Sequence, residues 1–102
     1  MIDHISIAVR DLKKGELFYT ALLAPLGITK LREWPEAAIG FGKKYPEFWI
    51  NRRTGMNSVA ADSGVHICLR APDSAAGSRA ARRSRSTISG TVLIARISMP
   101  YA

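Results

Sequence analysis

The first residues of the chain alternate. Ile5, Ile7 and Val9 fall on one side of an extended backbone and His4, Ser6 and Ala8 on the other, the period of a strand with one face turned to a core. Asp11 stands where an N-cap belongs, and Leu17, Phe18, Ala21, Leu22 and Leu26 follow at helical spacing. The pattern predicts a helix from Leu12 that Pro25 and Gly27 end. Next, ITKLREW (28–34), AAIGFG (37–42) and EFWIN (47–51) are short apolar or alternating runs, separated by Pro35 and by KKYP. They read as three strands in a meander, so the order is βαβββ. The small, polar stretch NRRTGMNSVAADSG (51–64) reads as a loop, and VHICLRA (65–71) alternates again as a strand.

That last strand repeats the first in phase. His4 matches His66, Ile5 matches Ile67, Ser6 matches Cys68, Ile7 matches Leu69, Val9 matches Ala71 and Asp11 matches Asp73. Apolar face, polar face and helix cap all recur, which is the signature of a second βα unit. The copy then breaks off. After Asp73 the template calls for a helix with large apolar residues, but SAAGSRAARRSRSTISG (74–90) supplies Ala, Ser, Gly, Arg, one Thr and a single Ile, and no core-facing stripe can be drawn. TVLIARISM (91–99) is suited to one more strand. The fold class is therefore α+β, with one complete βαβββ module and an incomplete second one. The organisation expected is a domain over residues 1–75 and an atypical Arg/Ser-rich tail over 76–102.

Composition refines this picture. With 102 residues, 47% of them hydrophobic and 23% charged, the chain has the balance of one globular domain. The net charge of +7 suggests nucleic acid at first. Its placement argues otherwise: residues 1–74 hold ten Lys or Arg against eight acids, whereas residues 75–102 hold five Arg and no acid. Basicity belongs to the tail, and RRSRS (82–86), with no aromatics interleaved, reads as a disordered basic segment rather than a phosphate-binding surface. An abrupt shift of this kind is what a change of reading frame in a GC-rich gene produces, which sequencing of the underlying nucleic acid would check. The single cysteine, Cys68, allows no internal disulfide and suits a reducing compartment. No run reaches the length of a membrane span and no signal-peptide pattern opens the chain, so a cytoplasmic location with no membrane partner is expected.

The candidate chemistry lies in the repeated histidine. If the two copies set their first strands in one sheet, His4 and His66 share the face opposite the helices and line a cavity. Two neutral imidazoles with one or two carboxylates suit a divalent ion such as Zn, Fe, Mn or Ni, and an open position on such an ion polarises a substrate oxygen. Singly, each histidine is more simply read as hydrogen-bonded structure; the in-phase repetition brings the metal reading level with it. Cys68 follows His66 on the same strand face, but a small buried hydrophobe is the simpler reading. Glu47 offers a carboxylate, or else a solvated strand edge, while Phe48 and Trp49 read as core or cavity wall.

The segments MIDHISIAVRDL, GELFYTALLAPLGI, PEFWI and GVHICLRAPD together resemble the vicinal oxygen chelate superfamily, the group of glyoxalases, bleomycin-resistance proteins and extradiol dioxygenases. The likeness covers about residues 1–75 and is greatest to small glyoxalase-like members. It implies two βαβββ modules, in one chain or across a homodimer, whose curled sheets enclose a divalent metal. It also places His4 and His66 at the first-strand ligand positions of the two modules. A fourth-strand ligand falls at Ile50 or Asn51, with Glu47 somewhat early. The family's last ligand, a glutamate in a segment such as D-P-D-G-N-x-I-E, has no counterpart in residues 75–102. The resemblance implies a metal-dependent lyase, isomerase or dioxygenase acting on a small oxygen-bearing substrate, in a form short of its last carboxylate. The alternative it allows is a non-catalytic small-molecule-binding protein of the bleomycin-resistance type; a nucleic-acid partner is favoured by the tail alone.

Overall fold

In the computed structural model, which describes residues 1–55, 67–73, 75–76, 79, 86–89 and 92–95, the opening alternation becomes strand β1 (Ile5–Val9). Ile7 and Val9 are buried and Ser6 is exposed, as the period requires. Helix α1 (Leu12–Leu23) follows, with the Asp11 carboxylate accepting the backbone N–H of Lys14 at 3.0 Å. That bond satisfies one of the donors a helix start leaves unpaired. A 3₁₀ turn (Ala24–Leu26) closes the helix, and Gly27 takes a left-handed conformation at φ 79° that a larger residue would adopt only under strain.

The buried stripe of α1 and its 3₁₀ turn is Gly15, Tyr19, Leu22, Leu23 and Leu26. The expected stripe was partly misplaced: Leu17 is 67% exposed. Two residues beyond Gly15 is roughly 200° around the helix, so Leu17 faces away once Gly15 faces the sheet. Gly15 takes that position because the helix approaches closely there. A Cβ would lie 3.3 Å from Ile50 and 3.4 Å from Val9.

Strands β2 (Thr29–Trp34), β3 (Ala38–Gly42) and β4 (Pro46–Arg52) form the antiparallel meander, and β1 adds to β4 in parallel, giving the order β1-β4-β3-β2. The βαβββ module is thus as the sequence predicts. The turn between β2 and β3 has Pro35 second and Glu36 third, with Glu36 at φ 59° and the Ala37 N–H donating to the Trp34 carbonyl at 2.9 Å. Proline followed by a positive φ marks a type II turn, in which glycine normally takes the third place. One face of the sheet carries Ile7, Val9, Ile39, Phe41, Phe48 and Ile50 against the helix stripe, and these residues form the core. Tyr19 packs its ring on Phe48 at 5.3 Å between centroids.

The second unit begins as the first does. Strand β5 (Ile67–Arg70) leads to Asp73, whose carboxylate accepts the Ala76 N–H at 2.7 Å, the same three-residue reach as at Asp11, and residues 75–76 are helical. Ala71 and Ala76 are buried in the core of the first module, with Ile67 and Leu69 packed against it. Beyond this point the parallel fails. Strands β5, β6 (Ser86–Ser89) and β7 (Val92–Ala95) form their own antiparallel sheet in the order β5-β7-β6, so β1 and β5 do not share a sheet among the described residues. In the first module the opening strand pairs in parallel with β4; here it pairs antiparallel with β7.

Two further expectations are corrected. Cys68 is exposed, because it shares a strand face with Arg70 while Ile67 and Leu69 take the covered side. Strand β6 occupies the end of the segment read as a basic tail; of RRSRS only Ser86 lies within the described residues, and it is in a strand. Of the strand expected over 91–99, Val92–Ala95 forms β7, and 91 and 96–99 lie outside the described residues. No helix among the described residues is long and apolar enough to cross a membrane.

Candidate functional site

The face of the four-stranded sheet opposite α1 is a groove of about 640 Å³. Because side chains alternate along a strand, burying Phe48 and Ile50 of β4 turns Trp49 and Asn51 the other way. The register then brings Ser6 of β1 beside Trp49, and Gly40 of β3 beside Trp49 on the other flank. Gly40 fixes the shape of the floor: a Cβ there would stand 2.7 Å from the Pro46 Cβ and 3.0 Å from the Trp49 ring. The indole therefore lies across β3 where only glycine leaves room. Trp34, at the end of β2, meets it with ring centroids 5.5 Å apart and planes tilted by 48°. The two indoles with Pro46 and Tyr45 make an apolar wall.

Polar groups sit at both ends. At one end the Asp3 carboxylate lies 2.8 Å from Nδ1 of His4, whose side chain is 53% exposed. The Tyr45 hydroxyl lies 3.4 Å from both the carbonyl and Oδ1 of Asp3. The negative charge of Asp3, then burial, then the charge of Glu47 hold the Tyr45 phenol above its usual range. Farther along, Asn51 Nδ2 donates to Ser6 Oγ at 2.6 Å. Arg53 closes the far end, its backbone N–H donating to the Val9 carbonyl at 2.9 Å and its Nη1 to the Arg52 carbonyl at 2.9 Å.

The sequence placed His4 on this face, and it lines the groove. His66 lies outside the described residues, so the structure does not report the pairing of the two histidines. Of the two fourth-strand candidates, Ile50 is in the core and Asn51 faces the groove. Glu47 does not line the groove; it borders a separate hollow with Lys43, Leu69 and Arg70. Among the described residues, no three of His, Cys, Asp and Glu come together in a way that would hold a metal ion. The donor set there is one imidazole whose Nδ1 is already engaged by Asp3, and this does not fit a divalent metal by itself.

Several groove residues escaped the sequence reading. Trp34 looked like the end of a strand and Arg53 like part of a loop, while Gly40 looked like one small residue in an apolar run. A glycine inside a strand does carry a signal of close approach, and here the approaching group is Trp49. The partnership of Ser6 with Asn51 needs the parallel pairing of β1 with β4, which alternation alone does not reveal. The sequence matches no protein-family model and no curated protein.

Proposed function

We propose that the chain is a small-molecule-binding protein of the bleomycin-resistance type, holding an apolar or aromatic ligand in the open-face groove without the help of a metal. The observation that carries this reading is Trp49, packed close over Gly40 and in tilted contact with Trp34 in the lining of the groove. A concave site of several hundred Å³ with a mostly apolar wall and few polar groups is the ordinary form of a small-ligand site. Offset or tilted aromatic contacts add about 0.5–1.5 kcal/mol each to the burial of apolar area. The groove offers a planar guest two such surfaces. The test is a calorimetric titration of chelator-treated protein with naphthylmethanol, a neutral aromatic probe. Saturable binding is expected; no binding overturns the reading.

A second reading, the metal-dependent lyase, isomerase or dioxygenase, is favoured by one contact. The bond between Asp3 and His4 Nδ1 fixes the imidazole and leaves Nε2 as its remaining ligating atom, an arrangement usual for metal-bound histidine. His4 and His66 would then hold the ion, which would supply polarisation of a substrate oxygen. The described residues do not complete that donor set, and no reaction step is derived from it. Metal analysis of protein prepared without chelators, beside a His4→Ala, His66→Ala variant, separates the readings; equal metal in both removes the ligand assignment. Both readings place the protein in the cytoplasm, where the exposed thiol of Cys68 stays reduced.

A further inference from the structure

We infer that the groove selects an aromatic carboxylate, with Arg53 as the residue that recognises its negative charge. This rests on the binding reading above and adds a charge to the ligand. The groove is asymmetric in charge. Among the described residues its one carboxylate, Asp3, is at the end where β1 begins and already partners His4 and Tyr45. Arg53 follows the last residue of β4, and the strand between these ends is roughly 20 Å long. The two charges therefore do not neutralise each other.

Arg53 is also held for the purpose. Its backbone is pinned to β1 through Val9, and one guanidinium nitrogen is pinned to the Arg52 carbonyl. Among the described residues that is its one side-chain bond, so the other guanidinium N–H donors stand in a rigid planar fork open to a ligand. Among the described residues Arg53 forms no ion pair, even though Glu36 shares a neighbouring hollow with it. A carboxylate matches the fork bidentately, and a guanidinium fixed in advance loses less entropy on binding. Next to Arg53 in the lining come Asn51, whose amide donates to Ser6, and then the indole of Trp49. A flat ring system on the indoles with a carboxylate projecting toward Arg53 meets both features. A cationic ligand would put its charge beside Arg53 or compete with His4 for Asp3.

The experiment compares three probes of one shape by calorimetry on the full chain: naphthoate, naphthylmethanol and naphthylmethylamine. Naphthoate is expected to bind at least about tenfold more tightly than the alcohol, the factor that a charge-assisted hydrogen bond contributes. The amine is expected to bind no better than the alcohol. In Arg53→Gln, which keeps the backbone bond to Val9, naphthoate affinity should fall to that of the alcohol while the alcohol is unaffected. Equal affinity for naphthoate and alcohol, a preference for the amine, or an equal loss of both probes in Arg53→Gln overturns the assignment and leaves the groove as a binding site. Failure of all three probes to bind overturns the binding reading with it.

Discussion

Phe48 and Trp49 are neighbours in the chain and do opposite work. Phe48 is buried against Tyr19 on the helix side of β4, one ring among a packed set. Trp49 lies on the other side, half-buried and lining the groove, over a glycine that makes room for it. The two faces of this single sheet differ in what their side chains complete. On the covered face the large residues pack with the α1 stripe into one core, so substitution there is felt as lost stability. On the open face Trp34 and Trp49 are positioned without being enclosed by the described residues, which is the arrangement the proposed binding uses.

The largest expected effect is on the covered face. Phe48→Ala should lower the unfolding free energy by about 3–5 kcal/mol, measured by urea denaturation, because it removes a packed ring and leaves a cavity. A loss below about 1 kcal/mol would show that this face is not the core. The helix caps come next. Asp11→Ala should cost about 1 kcal/mol, since it leaves the Lys14 N–H without its partner at the start of a helix that packs on the sheet. Asp73→Ala removes the same kind of bond from a unit whose buried residues, among those described, are the small Ala71 and Ala76, so its cost should be the smaller of the two.

One substitution should stabilise. Glu36 holds a positive φ in a turn that favours glycine, so Glu36→Gly should raise the unfolding free energy by roughly 0.5–1 kcal/mol. A decrease would mean that the Glu36 side chain makes an interaction worth more than the strain. The smallest effects are electrostatic and separate the faces by pH. On the helix side, the hydrogen bonds that Lys30 donates to Glu16 and then to Glu33 raise its ammonium above its ordinary value of 10.5. On the groove side, Asp3 raises Tyr45 above its ordinary 10.0. A raised value in the folded state contributes stability that is complete below the ordinary value and is lost as pH climbs through the raised one. Alkaline titration should therefore find Tyr45 ionising late, and Asp3→Asn should bring its absorbance midpoint back toward that of a free tyrosine. Because these groups are exposed, salt should weaken both effects.

The covered face was largely legible in the sequence and the open face was not. Alternation in Ile5–Val9, the Asp11 cap and the three runs after Gly27 all follow local rules, and the structure has those elements in that order. The helix stripe was misread at Leu17 because its phase is set by where Gly15 touches Val9 and Ile50, a contact between elements. The repeat predicted the β5 strand and the Asp73 cap for the same local reason. It failed to predict sheet pairing, because pairing depends on the large residues that should follow, and the second unit has Ala, Ser and Arg there. His4 was placed on the correct face by period alone. Trp34, Gly40, Asn51 and Arg53 come together only through the meander and the parallel pairing of β1 with β4.

The claim that the open face binds a ligand is tested most directly by Trp49→Ala, titrated with naphthylmethanol in the calorimeter beside Ile50→Val from the covered face. The account predicts that Trp49→Ala loses the binding heat and keeps most of its stability, whereas Ile50→Val keeps the binding and loses about 1 kcal/mol of stability. Undiminished binding by Trp49→Ala would contradict it.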